Sequence, residues 1–270
     1  MAAAEQSGPH SSDFAGKWDP DMMRRMVAVG RPLCKVWFRS EVRGLEALPA
    51  SGALIVSNHS GGPMTMDVPL LWIAFYEKFG YDRPMYNLAH DVLFKGPFGD
   101  ALMRMGLIPA SRENAAKALR SGAVVIVFPG GDSDAMRPTL KQNTIDFGGR
   151  TGYVKTAIDA GAPIVPVVSI GGQETQFFLP PLTPPKWLGL KRLLRSEQVP
   201  IAMGFPLPLS VAAYNLPLPA KIVTQILPPI DVVARFGKTP DVAEVDEHVR
   251  AVMQSALDRL AAQRRFPIIG

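Results

Sequence analysis

Two apolar runs that end in glycine turns constrain this chain most. Ala53-Leu-Ile-Val-Ser57 runs into Asn58-His59-Ser60-Gly61-Gly62, and Ala123-Val-Val-Ile-Val127 runs into Phe128-Pro129-Gly130-Gly131-Asp132. Short unbroken apolar runs bounded by turn residues read as buried strands, and helical stretches follow them. Alternating β and α elements give a layered α/β architecture, in which ligands collect at the carboxyl ends of the strands. Both glycine turns stand at such ends, so one site built from two loops is expected.

The rest of the chain fits that plan. Strands are predicted over 85–89 and 164–169, with a brief extended piece over 107–109. Helices are predicted over 68–79, with Asp67 as N-cap and Pro69 in the first turn, and over 97–105. Further helices are expected over 112–120 behind a Ser111 cap and over 153–160, ended by Gly161. Residues 20–38 read as a basic amphipathic helix interrupted near Pro32, and 241–265 as the C-terminal helix. The chain has 26 prolines, about twice ordinary usage, and 11 of them crowd into 180–229, where they favour irregular extended chain. Within that weak region a short helix over 187–194 and strands over 200–203 and 221–227 are expected. The fold class is therefore α/β: one layered domain, a mixed, mostly parallel sheet flanked by helices, with an N-terminal amphipathic helix. The expected boundaries are a disordered tail over 1–17, a membrane-associating helix over 18–39 and one domain over 40–270.

Charge and composition narrow the function class. Twenty-nine basic against 24 acidic residues give +5, too mild a balance to imply nucleic acid, and no nucleic-acid signature accompanies it. The placing of the charge says more. Residues 22–39 hold Arg24, Arg25, Arg31, Lys35 and Arg39 without an acid, and 186–195 hold Lys186, Lys191, Arg192 and Arg195 likewise. Beside Trp37, Phe38 and Trp187 they suit a peripheral membrane surface. No apolar run reaches the ~20 residues of a spanning helix. The single cysteine, Cys34, excludes an internal disulfide and suits a reducing cytoplasm, and no signal peptide is visible.

Few residues here carry chemistry. His10 and His248 read as surface residues, and His90, after a predicted strand, as structural. His59 ends a strand beside Ser60, Gly61 and Gly62, whose backbone a ligand can approach closely, and Asp67 is near enough in sequence to fix its tautomer. Arg112 behind Ser111 at a helix start reads either as a solvated residue or as an anion contact. Gly130 and Gly131 read as a tight turn or as a place where substrate meets backbone, and Asp132, Asp134 and Arg137 as a polar loop or as part of the site. There is no G-x-S-x-G, no phosphate-binding lysine loop, no G-x-G-x-x-G and no zinc-ligand spacing.

Taken in order, these motifs resemble the glycerolipid acyltransferase superfamily, the one containing lysophosphatidate acyltransferases. The likeness covers roughly residues 40–265 and is strongest to bacterial relatives of the mono- and diacylglycerol acyltransferase branch. Asn58-His59 to Asp67 resembles the first block, Gly106 to Arg112 the second, Phe128-Pro-Gly-Gly131 the third and Pro163-Ile-Val-Pro-Val167 the fourth; Arg150-Thr-Gly-Tyr-Val-Lys155 resembles the stretch before the fourth in the acylglycerol branch. Two departures stand out. Seven residues separate His59 from Asp67, more than the usual spacing. In the common third block, F-P-E-G-T-R, glutamate and arginine contact the acceptor; here Gly130 and Ser133 stand in their places, and Arg137 is a candidate for the missing charge.

The resemblance implies an O-acyltransferase that moves a fatty acyl group from acyl-CoA or acyl carrier protein to a hydroxyl of a glycerolipid, lysophospholipid or other lipid-like alcohol. It implies His59 as general base, oriented by Asp67, with Ser60, Gly61, Gly62, Arg112, Gly130, Gly131, Asp132 and Arg137 binding substrate. No metal or other cofactor is implied, and the partners are the acyl thioester, the lipid acceptor and the membrane surface, with no nucleic acid. The implied location is cytoplasmic, on the inner face of the membrane. A lipid- or acyl-CoA-binding protein without catalysis, and an acyl thioesterase, are the alternatives.

Overall fold

Ala53 to Val56 have no exposed surface, and their alternation explains the whole molecule. Leu54 and Val56 turn to one hydrophobic cluster, Ala53 and Ile55 to another. A strand apolar on both faces is stable only in a sheet covered by helices on both sides. In the computed structural model, which describes residues 14, 16–62, 65–182, 199–211, 215–264 and 266, that is the arrangement.

The main sheet holds β1 (Glu41–Arg43), β2 (Ala53–Ser57), β3 (Met85–Ala89), β4 (Leu107–Pro109), β5 (Val124–Val127), β6 (Ile164–Ile170) and β10 (Val223–Ile226). Their order is β1-β10-β6-β2-β5-β3-β4. The five strands from β6 to β4 are parallel, β10 runs antiparallel to β6, and β1 is parallel to β10. Helices α1 (Pro20–Pro32) and α2 (Asp67–Phe79) cover one face. Helices α4 (Arg112–Arg120) and α6 (Gly152–Ala160) and the C-terminal helix α8 (Val242–Gln263) cover the other. Two short helices, α3 (Gly99–Arg104) and α5 (Gly131–Ala135), follow β3 and β5, and α7 (Val232–Phe236) precedes α8. The mixed, mostly parallel sheet flanked by helices is the architecture that the sequence implies.

Four local expectations change. Asp67 is the first residue of α2 rather than its cap; Met66 holds the cap position without a side-chain bond, because the Asp67 carboxylate turns back toward the preceding loop. Phe14, inside the stretch expected to be a disordered tail, is 1% exposed and packs edge-on against Tyr86, 5.2 Å between ring centres. At Pro32 the helix does not break. It widens into a π turn over Leu33–Trp37, closed by a bond from the Phe38 N–H to the Leu33 carbonyl. In the Pro-rich region the strand expected over 200–203 forms as β8 (Val199–Met203), and what changes is that it joins a small antiparallel sheet with β7 (Phe177–Leu182) and β9 (Ser210–Val211), Pro180 and Pro181 lying at the irregular register between β7 and β8. The helix expected over 187–194, with its basic segment, lies outside the described residues, as do residues 1–13.

Candidate active site

His59 leaves the carboxyl end of β2 and faces a narrow cleft, its side chain 18% exposed. Its Nδ1 lies 3.2 Å from Oδ2 of Asp67. The long spacing between the two is closed by bonds within the loop. The Ser60 N–H donates to Asp67 Oδ2 at 2.7 Å, the Ser60 hydroxyl to Oδ1 at 3.1 Å and the Thr65 hydroxyl to Oδ2 at 3.0 Å. Asp67 is 1% exposed at the start of a 13-residue helix, where the aligned N–H groups favour an anion. A carboxylate on Nδ1 holds the proton there and leaves Nε2 as the basic nitrogen. The imidazole rests on the Phe128 ring, 4.2 Å between centres, so the second glycine turn forms a wall of the site.

The neighbouring strands hold the loop. Asn58 exchanges two bonds with Ser169 at the end of β6: its Nδ2 donates to the Ser169 carbonyl and its Oδ1 accepts from the Ser169 N–H, each at 2.8 Å. The His59 N–H donates to Oδ2 of Asp134, on α5, at 2.7 Å. Asp134 is buried, and its other oxygen accepts from Arg137 at 2.8 Å. Burial pushes the Asp134 carboxyl up, while the bonds from His59 and Arg137 oppose the shift. Gln173, in the turn after β6, accepts from the Gly61 N–H at 3.3 Å and donates to the carbonyls of Asp134 and Arg137 at 3.1 and 3.2 Å. Gln176 donates to the Gly61 carbonyl at 3.2 Å.

Set beside the expected site residues, the geometry sorts them. His59 and Asp67 are together. Ser60 is buried with its N–H and hydroxyl both turned to Asp67, so it braces the carboxylate rather than facing substrate. Gly61 and Gly62 have φ of 93° and 72°, which side-chain-bearing residues rarely adopt. The Gly61 N–H is committed to Gln173 and the Gly131 N–H to the Phe128 carbonyl at 3.0 Å. Gly130 is buried behind Phe128, and Arg150 donates to the carbonyls of Pro129 and Gly130. Asp132 is exposed, and it is Asp134 that turns inward. Arg137 gives its guanidinium to Asp134 and to the Asp146 carbonyl at 3.3 Å, so its charge is matched inside the protein. Arg112 opens α4 behind Ser111, whose hydroxyl accepts from the Asn114 N–H at 3.0 Å. It stands on the same sheet edge as His59 but behind β4, three strand spacings or about 14 Å away. Sequence reasoning passed over Gln173, a single polar residue in a loop with no local pattern to mark it.

Comparisons with known proteins bear on the family and the fold. A sequence model of the Acyltransferase family matches residues 39–170. An uncharacterized protein of Mycobacterium tuberculosis is 34% identical over 98% of this chain and 73% of its own length. The mouse protein described as a DGAT1/2-independent enzyme synthesizing storage lipids is 29% identical over 85% of this chain and 68% of its own. Among solved structures, the 1-acyl-sn-glycerophosphate (LPA) acyltransferase PlsC of Thermotoga maritima superposes with a TM-score of 0.56 at 19% identity. That match covers 89% of this chain and 81% of PlsC and is a likeness of fold.

Proposed function

This chain belongs to the glycerolipid acyltransferase superfamily, and from that premise we propose that it transfers a fatty acyl group from an acyl thioester, acyl-CoA or acyl carrier protein, to the hydroxyl of a lipid-like alcohol. The observation that carries the reading is the His59–Asp67 pair at the carboxyl end of β2. His59 Nε2 takes the proton of the acceptor hydroxyl, whose oxygen attacks the thioester carbonyl. The thiolate leaves with the proton that the imidazolium returns, and no acyl-enzyme intervenes. Asp67 keeps the tautomer and stabilises the imidazolium. Arg112 holds a phosphate, of the acceptor or of the donor's carrier, at the far end of the same edge. The match of Arg137 by Asp134 argues against that guanidinium as a second phosphate contact, and so favours a neutral acylglycerol acceptor over a lysophosphatidate.

The enzyme is proposed to work as a peripheral protein on the inner face of the membrane. Val29, Leu33, Val36 and Trp37 lie exposed along one side of α1 and the π turn, Val29 at 81% and Val36 at 77%. The Trp37 indole N–H donates to the Pro217 carbonyl at 3.0 Å, which joins this stripe to exposed Leu216 and Leu218 beside the small sheet. Apolar groups so placed, with Arg25 exposed nearby, suit the headgroup boundary of a bilayer. The attraction is less electrostatic than the acid-free sequence of this helix suggests, because Glu77 of α2 pairs with Arg31 at 2.5 Å and Lys35 at 3.9 Å. Among the described residues no helix is long and apolar enough to cross a membrane.

The test is CoA release from palmitoyl-CoA against monoacylglycerol, diacylglycerol, lysophospholipids and a long-chain alcohol, with products resolved by mass spectrometry. Acceptor-dependent release that His59→Ala abolishes supports the proposal and identifies the acceptor. Acceptor-independent fatty acid release would make the protein a thioesterase. No turnover with either acyl-CoA or acyl carrier protein, in a chain that still binds lipid, would leave only a binding role.

A further inference from the structure

We infer that Asp134 is a positioning residue for His59, and that Gly130 lacks a side chain because Asp134 occupies its space. The observation is steric as well as polar. A Cβ built at Gly130 would lie 2.4 Å from Asp134 Cβ, 2.9 Å from its Cγ and 3.0 Å from Oδ2. Non-bonded carbons do not approach that closely, so residue 130 can have a side chain only if Asp134 gives up its place. The carboxylate that fills the space reaches across from α5 to the loop after β2 and accepts the His59 N–H at 2.7 Å. The histidine is thereby held from two sides, its backbone by Asp134 and its ring by Asp67.

Three further contacts keep Asp134 itself in place. Arg137 donates to its Oδ1 through both Nη2, at 2.8 Å, and Nε, at 3.3 Å. Gln173 donates to its backbone carbonyl at 3.1 Å and, through its other amide atom, accepts the Gly61 N–H. The three loops after β2, β5 and β6 therefore meet at Asp134, its carboxylate holding His59 and its backbone carbonyl holding Gln173. A charged acceptor makes the stronger bond, and a buried carboxylate holds its place only when its remaining lone pairs are met, which Arg137 does. Asp134 touches no reacting atom; it acts through His59. An error of about 1 Å in the placing of a general base costs on the order of 100-fold in rate, which is the scale on which such a clamp matters.

The inference rests on the acyltransferase reading for its kinetic arm only; amide exchange tests it without turnover. The experiment compares two full-length double variants, D134N/R137Q and D134A/R137Q. Both are neutral at the pair, so neither leaves a lone buried charge, and they differ in whether an acceptor faces the His59 N–H. Relative to D134N/R137Q, the alanine variant is expected to exchange the His59 amide at least about tenfold faster, with the β2 amides unchanged. Its kcat for acceptor-dependent CoA release is expected to fall about 10- to 100-fold, with KM for palmitoyl-CoA within about twofold. Equal His59 exchange in the two folded variants, or equal kcat, overturns the inference. A parallel fall in kcat and rise in KM overturns it as well, since that marks direct substrate binding. If wild type gives no turnover with any acceptor, the acyltransferase reading falls, and the exchange comparison alone decides the role of Asp134.

Discussion

Asp67 Oδ2 lies 3.2 Å from His59 Nδ1 across a loop of seven residues, and the same oxygen accepts the Ser60 N–H and the Thr65 hydroxyl. The carboxylate therefore organises the loop that bears the histidine it contacts. In Asp67→Asn an NH2 group must face one of these donors, and the imidazole loses the acceptor that sets its tautomer. A kcat fall of about 10³- to 10⁴-fold is expected. Stability should drop by roughly 1–3 kcal/mol, from donors left unpaired in a buried place. Kinetics and denaturation of the variant check both, and a kcat within tenfold of wild type would remove Asp67 from the mechanism.

Gly130→Ala forces a methyl against the Asp134 side chain, whose bonds to His59 and Arg137 leave it little room to move. The expected loss is about 1–3 kcal/mol of stability, with a lower kcat. Gly152→Ala is the contrast. Its Cβ meets nothing within 4 Å at the start of α6, so it should leave the melting temperature unchanged or raise it slightly. Thermal melts of the two single variants decide the point.

Gln173→Ala removes the acceptor of the Gly61 N–H and the donor to two backbone carbonyls. A cost of about 1–3 kcal/mol is expected, together with faster amide exchange at Gly61. Exchange unchanged at Gly61 would show that the turn after β6 does not brace the site.

Val29 and Val36 support little of the fold, being mostly exposed. The double variant V29S/V36S should melt within a degree or two of wild type. Its partition onto anionic vesicles should weaken on the order of tenfold, since each buried CH₂ is worth about 0.8 kcal/mol at a membrane. Sedimentation with vesicles measures this, and unchanged binding would place the membrane face elsewhere.

Burial pushes the Glu174 carboxyl up from 4.5 to about 7, against the opposing pull of the Arg264 guanidinium beside it. The folded protein then holds this proton more tightly than the unfolded chain. Stability from this group is complete below the unfolded value of 4.5 and is lost as pH rises through about 7. The loss is at most roughly 3 kcal/mol. Denaturant titrations at pH 5 and pH 8 should show wild type losing stability relative to Glu174→Gln over that interval. A constant difference between the two would mean that the pair stays charged throughout.

Local signals carried the sheet and marked the His59 and Asp67 loop. The runs ending at Ser57 and Val127 announce buried strands because an unbroken apolar run has few other stable places, and the His59 and Asp67 motif is marked by its glycines. Other features had no local mark. In the Pro-rich stretch the strand over 200–203 is legible, but its pairing with β7 and β9 is not, and Pro180 and Pro181 sit where the ladder is already irregular. Phe14 sits in a polar tail by composition, but one aromatic ring against Tyr86 outweighs its neighbours.

Periodicity and turn chemistry depend on near neighbours, so the order of residues already marks which segments bury themselves, where the chain turns and which histidine stands at a strand end. That Asp134 rather than Asp132 faces His59, that Arg137 is matched within the protein and that Gln173 ties the loops together emerges from packing alone. Those outcomes follow from β2 lying between β6 and β5, which brings three loop ends to one place. Strand order is settled by the summed packing of both helix layers, and no single stretch of the chain encodes it.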